Sequence, residues 1–303
     1  MVSVLTQMSA LILCGVGWRL FKPAGLAADQ VRLALTNVVY YLMLPALVLS
    51  VMWDASLGLQ SLKISFLASA AVLFAIAVTW LIFRRWNMAS GQVGALIIAA
   101  SFPNITYLGL PVLEQTFGGW ARSVAIQFDL FACTPLLLTV GVLIARHYGS
   151  GGKGGIFRSL LKVPPLWAGL FAVTMNLQGV PQPQWVNGFL ELLSPGVVPL
   201  MLISLGMGLR LDSLHWRNLP KVLPVILVQL ILMPLFGWAL AMPLGLSGDL
   251  LAAVVLETAM PSMVLGLVLC DRYKLDGSLY AMAVTVTTAL SLFTLPICYD
   301  LLK

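Results

Sequence analysis

SFPNITYLGLP at residues 101–111 and AMPSMVLG at residues 259–266 decide how this chain must fold. Each stretch lies inside an apolar run long enough to span a membrane, and each has a proline at its centre, Pro103 and Pro261. A proline inside a helix has no N–H to donate, and its ring collides with the carbonyl four residues back. Hydrocarbon cannot satisfy the backbone groups freed in this way, so such a break survives only where protein encloses it. Asn104, Thr106, Gly109 and Pro111 follow the first break, while Glu257, Thr258, Ser262 and Gly266 flank the second.

Composition places both stretches in a bilayer. Of 303 residues, 60% are apolar and 9% charged, and mean hydropathy is +0.98. Eleven acids and seventeen bases cannot cover a soluble surface of this size, which excludes soluble enzymes and nucleic-acid binders. The net charge of +6 does not point to phosphate binding, because the bases fall in short loops between apolar runs. At about twenty helical residues per crossing, the chain has room for ten spans. The ten expected spans run near 3–20, 31–52, 62–83, 91–117, 121–146, 164–178, 186–209, 220–243, 248–270 and 277–301. The sixth is short, and Pro164, Pro165, Pro181 and Pro183 blur its ends.

Fourteen of the seventeen Lys and Arg residues fall in loops after odd-numbered spans; only Lys63, Arg122 and Lys303 lie on the other side. Short basic loops resist translocation, so the odd loops are expected in the cytoplasm and both termini outside. The expected location is the plasma membrane, the inner membrane of a bacterium. The opening MVSVLTQMSALILCGVGWRL has no basic leader or small-residue cleavage site, and reads as a retained first span.

The longest polar interval, 148–163, contains GSGGKGG and separates an N-terminal five-span unit, 1–147, from a C-terminal one, 164–303. It reads as a flexible cytoplasmic linker. It does not fit GxxxxGK[ST], so nucleotide binding is not indicated. An odd number of spans per half means that, if the halves are related, the second is inserted upside down. Ser101-Phe102-Pro103-Asn104 aligns with Ala259-Met260-Pro261-Ser262 at an offset of 158, which also lays Gly118-Gly119 on Asp276-Gly277 and Ala125 on Ala283. Leu44-Pro45-Ala46-Leu47 matches Val198-Pro199-Leu200-Met201 at an offset of 154. The fold expected is therefore an all-α polytopic membrane protein, two inverted five-helix repeats with broken crossover helices 4 and 9. Paired mid-membrane breaks mark a transporter's binding site, and a half-helix starting after a break presents free amides that suit an anion.

Catalytic and metal-binding alternatives find little support. His147 and His215 are the only histidines and belong to no ligand pattern, and GxSxG is missing. Cys14, Cys133, Cys270 and Cys298 show no CxxC spacing and read as small core residues. Asn104-Ile105-Thr106 matches a glycosylation sequon, but at mid-membrane depth the match is accidental. No enzyme activity, organic cofactor or nucleic-acid partner is expected.

At these residues the sequence resembles the auxin efflux carrier family, which includes bacterial malonate and other organic-acid permeases. Pro103-Asn104-Ile105-Thr106-Tyr107-Leu108-Gly109-Leu110-Pro111 followed by Phe117-Gly118 is similar to the family's first crossover. AMPSMVLGLVLCDRYKLDGSLYA resembles its second crossover, and Thr294-Leu295-Pro296 its closing segment. The resemblance spans nearly the whole chain. It implies ten helices, crossovers near the bilayer centre, an elevator-like movement of a transport domain against a scaffold, and Asn104 holding a substrate carboxylate. It also implies pairing of two copies through their scaffolds. The plant carriers differ in having a much longer central loop and a charged pair on spans 2 and 3, so the small-acid permease branch fits better.

The function expected is secondary transport of a small organic anion such as malonate. Pro103, Asn104, Thr106, Tyr107, Pro261 and Ser262 are the substrate-binding candidates, with Gly109 and Pro111 shaping the crossover and Pro45 and Pro199 shaping the same transport domain. An ionisable residue in a span costs roughly 2.5–3.5 kcal/mol, so each needs a reason. Glu257, four residues before Pro261, could join Thr258 and freed carbonyls in an oxygen-rich sodium site, or could carry a proton. Asp129 in span 5 is a second ion-coupling candidate, whereas Glu114 and Glu191 lie near span ends. The fold also resembles that of sodium-coupled bile acid carriers, in which an acid at the matching crossover binds sodium. A sensor that kept the transporter fold, and an anion channel, are the alternatives.

Overall fold

The computed structural model describes residues 2–150, 161, 163–210, 212 and 214–303. Most of the linker, including the GGKGG run, lies outside the described residues. Among the described residues the chain is helical throughout and contains no strand. In chain order the helices are α1 (Val2–Phe21), α2 (Ala28–Trp53), α3 (Leu59–Phe83), α4 (Ser90–Ser101), α5 (105–117), α6 (Ala121–Tyr148), α7 (Pro164–Leu177), α8 (Gln184–Gly208), α9 (Trp216–Ala241), α10 (Gly248–Thr258), α11 (Gly266–Tyr273) and α12 (Gly277–Leu302). Six of them, α2, α3, α6, α8, α9 and α12, are long and apolar enough to cross a membrane.

The fourth and ninth apolar runs are not continuous helices. α4 has 12 residues and α10 has 11, so at about 1.5 Å per residue neither reaches across a bilayer core. Each stops at its proline, and the chain runs extended before helix resumes. The two extended pieces cross and pair as an isolated antiparallel bridge between Pro103 and Ser262. Asn104 N–H donates to the Pro261 carbonyl at 2.7 Å, and Met263 N–H donates to the Phe102 carbonyl at 3.0 Å. The backbone groups that the prolines release from helical bonding are thus taken up by the other break, as burial in an apolar medium requires.

Other prolines act more gently. Five single π-helical turns occur among the described residues, at Val39–Met43, Ile105–Gly109, Asp129–Cys133, Leu137–Gly141 and Val228–Leu232. Four of these end two residues before a proline, namely Pro45, Pro111, Pro135 and Pro234. The carbonyl four residues before each proline, on Tyr41, Tyr107, Phe131 and Leu230, lies inside the widened turn. Widening moves that carbonyl out of the ring's way without ending the helix.

Two bundles emerge from the packing. In the first, α1 crosses α8, and α7 packs on α2. The α1–α8 crossing is set by glycine against glycine: a Cβ at Gly206 would lie 2.8 Å from the Ile12 carbonyl carbon, and one at Gly15 would lie 2.8 Å from Met207 N. Small residues let two backbones approach where no hydrophobic force drives helices together. Arg19 Nε adds a bond of 2.7 Å to the Met207 carbonyl. On the other side of this bundle, Asn176 Nδ2 donates to the carbonyls of Trp53 and Ala55 at 2.6 and 2.8 Å, and Trp53 Nε1 donates to Val180 O at 2.8 Å.

The second bundle gathers α3, α4, α5, α6, α9, α10, α11 and α12 around the crossing. Phe74 of α3 stacks on Phe236 of α9 with ring centroids 4.2 Å apart. α12 packs along α4 and α9, with Thr285, Thr287, Thr288 and Ser291 buried on its inner face. Pro45 and Pro199, expected in the same domain as the breaks, sit in α2 and α8 and hence in the first bundle.

Candidate functional site

The crossing is held from beneath by side chains of α9 and α12. Gln229 Nε2 donates to the Met260 carbonyl at 2.8 Å, Thr287 Oγ1 accepts from Ser262 N–H at 3.2 Å, and the Tyr280 hydroxyl donates to the Met263 carbonyl at 2.7 Å. Gly266 lies against the Tyr280 ring, where a Cβ would come within 2.9 Å of Cε2. With its backbone satisfied on that side, the crossing is a fixed platform. Pro103, Pro261 and Ser262 belong to this platform and do not line the cavity above it.

That cavity measures about 140 Å³ and lies between the two bundles. Asn104, Thr106, Tyr107, Asp129 and Thr134 come from the crossover bundle, and Tyr40 comes from the π turn of α2. The remaining wall is apolar, with Leu44, Val163 and Pro165 facing Ile105, Leu130, Leu137, Met263, Leu265 and Val268. Of the six residues the sequence proposed for binding, three line this space: Asn104, Thr106 and Tyr107. Sequence reading missed Tyr40 and Thr134. The prolines at 45 and 135, which widen the turns beside them, were the available signal.

Asn104 is buried, yet its Nδ2 makes no hydrogen bond to another protein group, and the same holds for the Tyr107 hydroxyl. Thr106 and Tyr107 open a helix after an extended break, so their amides face no carbonyl of a preceding turn. Asn104, Thr106 and Tyr107, neighbours in one turn, all line the cavity. One turn further on both half-helices are bonded: Leu108 and Gly109 donate to the Asn104 carbonyl at 3.3 and 3.0 Å, and Leu267 and Val268 to the carbonyls of Val264 and Leu265 at 3.1 and 3.0 Å.

The two candidate coupling acids meet the Ile105–Gly109 turn at different residues, Asp129 at Thr106 and Glu257 at Gly109. Asp129 lines the cavity and accepts hydrogen bonds from the Thr106 hydroxyl and, at 2.9 Å, from that of Thr134. Glu257 is fully buried, and neither carboxylate oxygen has a protein partner. Its carboxyl rests against Gly109, where a Cβ would come within 2.8 Å of Cδ and 2.9 Å of Oε1. Gly109 is thus the one position in the turn that must lack a side chain for Glu257 to fit. Thr258 does not share this niche, since its hydroxyl donates to Val255 O at 2.6 Å and lies against Gly237. No group of three or more potential metal ligands occurs among the described residues.

A family model described as membrane transport protein matches residues 3–153 and 154–299. The chain belongs to that family, the group of the auxin efflux carriers. It is 30% identical over 296 residues to an uncharacterized transporter of Methanothermobacter thermautotrophicus, covering 96% of each chain. It is 27% identical over 292 residues to an uncharacterized transporter of Methanocaldococcus jannaschii, covering 94% of each. As a member of this family, the protein is a multi-pass membrane protein of transport type.

Proposed function

We propose that the protein is a secondary carrier for a small carboxylate, working by alternating access around the crossing of α4–α5 with α10–α11. The observation that carries this reading is the cavity between the bundles, lined by Asn104 with its unpartnered amide and by Thr106 and Tyr107 of the first turn of α5. Donors fixed in place before a ligand arrives suit one carboxylate. Malonate or a similar organic anion is the ligand implied by the family resemblance.

The inverted-repeat reading is supported by reciprocal packing: α1 on α8 is mirrored by α7 on α2, and the two breaks meet each other. Counting each broken pair as one crossing gives ten spans, with both termini outside and the linker in the cytoplasm. In an elevator-like cycle the crossover bundle moves against the bundle of α1, α2, α7 and α8, which serves as scaffold and as the surface on which two copies pair. The site is well placed for such a cycle, because its polar residues travel with the crossover while Tyr40, Leu44, Val163 and Pro165 stay behind.

Glu257 is the coupling residue in this reading. A buried carboxylate without a partner must be neutralised by a proton or a cation. The residues fit either one, since both carboxylate oxygens are without a protein partner.

The test is uptake of labelled malonate and of a panel of monocarboxylates into proteoliposomes, with sodium and proton gradients imposed separately. Saturable accumulation against a gradient, lost in Asn104→Ala, is the expected result. Flux that equilibrates without concentrating would mean a channel, and ligand binding without flux would mean a sensor.

A further inference from the structure

We propose that the molecule held in the inter-bundle cavity carries an ammonium group beside its carboxylate, so that its class is a small α-amino acid with an apolar side chain. The inference rests on the carrier reading above and names its substrate.

Three surfaces of the cavity lead to it. The first offers donors, the buried Asn104 Nδ2 and the opening amides of α5. The second is a carboxylate, Asp129, tied by the Thr106 hydroxyl to the same turn that follows Asn104. The rest of the wall is apolar, from Leu44 and Leu130 to Met263 and Val268. A single molecule matching all three presents a carboxylate, an adjacent cation and an apolar tail.

Charge decides between this molecule and a plain carboxylate. Among the described residues lining the cavity there is no Lys, Arg or His, and Asp129 is the one carboxylate. The other titratable groups that face it are the phenols Tyr40 and Tyr107, with Glu257 within coulombic reach of Asp129 and Arg32 of α2 within coulombic reach of Tyr107. Arg32 is the one positive charge among them, and it lies outside the cavity wall and approaches Asp29 at 4.0 Å. Hydroxyls of Thr106 and Thr134 donate to Asp129 and fix its carboxyl group at the cavity wall without bringing a positive charge. A monocarboxylate would sit next to a like charge in a low dielectric, and a dianion would meet the same repulsion twice. An ammonium set between Asp129 and the ligand's own carboxylate cancels both, and a buried ion so paired is tolerated.

The test is isothermal titration calorimetry on the purified full-length protein with two matched sets. The first is L-leucine, 4-methylpentanoate, which lacks the ammonium, and 3-methylbutylamine, which lacks the carboxylate; the second is L-alanine, propanoate and ethylamine. At least one amino acid should bind, and both of its analogues should bind weaker by about 30-fold or more, the low end of the cost of removing one partner of a buried charge pair. Asp129→Asn should weaken the amino acid to a similar degree and leave the deamino acid unchanged or tighter. A deamino acid that binds wild type as well as the amino acid does overturns the inference and leaves the carrier reading standing. So does an amino acid that binds Asp129→Asn like wild type. If no compound in either set binds, the inference falls, and the uptake assay judges the carrier reading separately. The wild-type comparison decides the matter even if Asp129→Asn fails to fold.

Discussion

At Gly109 a missing side chain carries the contact that joins the two halves of the site. The Glu257 carboxyl occupies the space where a Cβ would stand, so Gly109→Ala should cost about 1–3 kcal/mol, the usual range for overpacking. The same substitution in a Glu257→Ala background should cost far less, because the collision is gone, and a double-mutant cycle read by thermal unfolding in detergent measures the difference. Additive effects would show that the two residues do not touch. Glu257→Gln keeps the shape and removes the charge, so uptake should lose its dependence on the sodium or proton gradient; unchanged ion profiles would take Glu257 out of the coupling scheme. Asn104 and Glu257 were legible as special because polar residues in apolar runs demand a reason. The partnership of Glu257 with Gly109 was not, since 148 positions separate them in the sequence and no local pattern links the two.

Among the elements, the widened turns show how a proline acts when its helix does not break. Pro45→Ala would return an N–H that can donate to the Tyr41 carbonyl, letting the Val39–Met43 turn tighten to an ordinary α-turn. Tightening by one residue rotates the preceding part of α2 by about 100° and carries Tyr40 away from the cavity. Uptake should then show a raised KM while the melting temperature stays level or rises, since alanine suits a helix interior better than proline. A KM equal to that of wild type would mean that the turn does not place Tyr40. At the α1–α8 crossing, Gly206→Leu sets a side chain against the Ile12 backbone, which cannot yield as a flexible side chain would. The expected outcome is loss of folded protein on size-exclusion chromatography, while Gly17→Leu, which faces open space, is tolerated. Prolines could be read as breaks or kinks from sequence. Which of the two each becomes depends on whether another segment takes the freed backbone groups, and that is a property of the fold.

On the scale of the whole molecule, the carrier reading requires the bundles to move against each other. Val48 of α2 and Ala125 of α6 line one small space between them. Cysteines at these two positions, in a chain whose Cys14, Cys133, Cys270 and Cys298 are replaced, should be joined by a short thiol cross-linker. Uptake is expected to stop on cross-linking, and to be unaffected when either cysteine is present alone. Full activity of the cross-linked protein would show that no such movement is needed. Asp29 contacts Arg19 at 2.5 Å, Arg210 at 3.7 Å and Arg32 at 4.0 Å, which joins α1, α2 and the end of α8 within the first bundle and ties none of them to the second. With Asp29 itself 48% exposed, these pairs contribute little stability.

Composition, the spacing of apolar runs and the two central prolines were enough to place this chain in a membrane, to mark where it breaks and to single out Asn104, which lines the candidate cavity. Those features are local: water rejects an apolar surface, and a proline cannot donate, whatever surrounds them. The position of Tyr40 and Thr134 at the cavity, the pairing of Glu257 with Gly109 and the assignment of α2 and α8 to the first bundle came from contacts between distant segments. Which amides stay free was settled in the same way, because a backbone group is spoken for or available only once its neighbours in space are known.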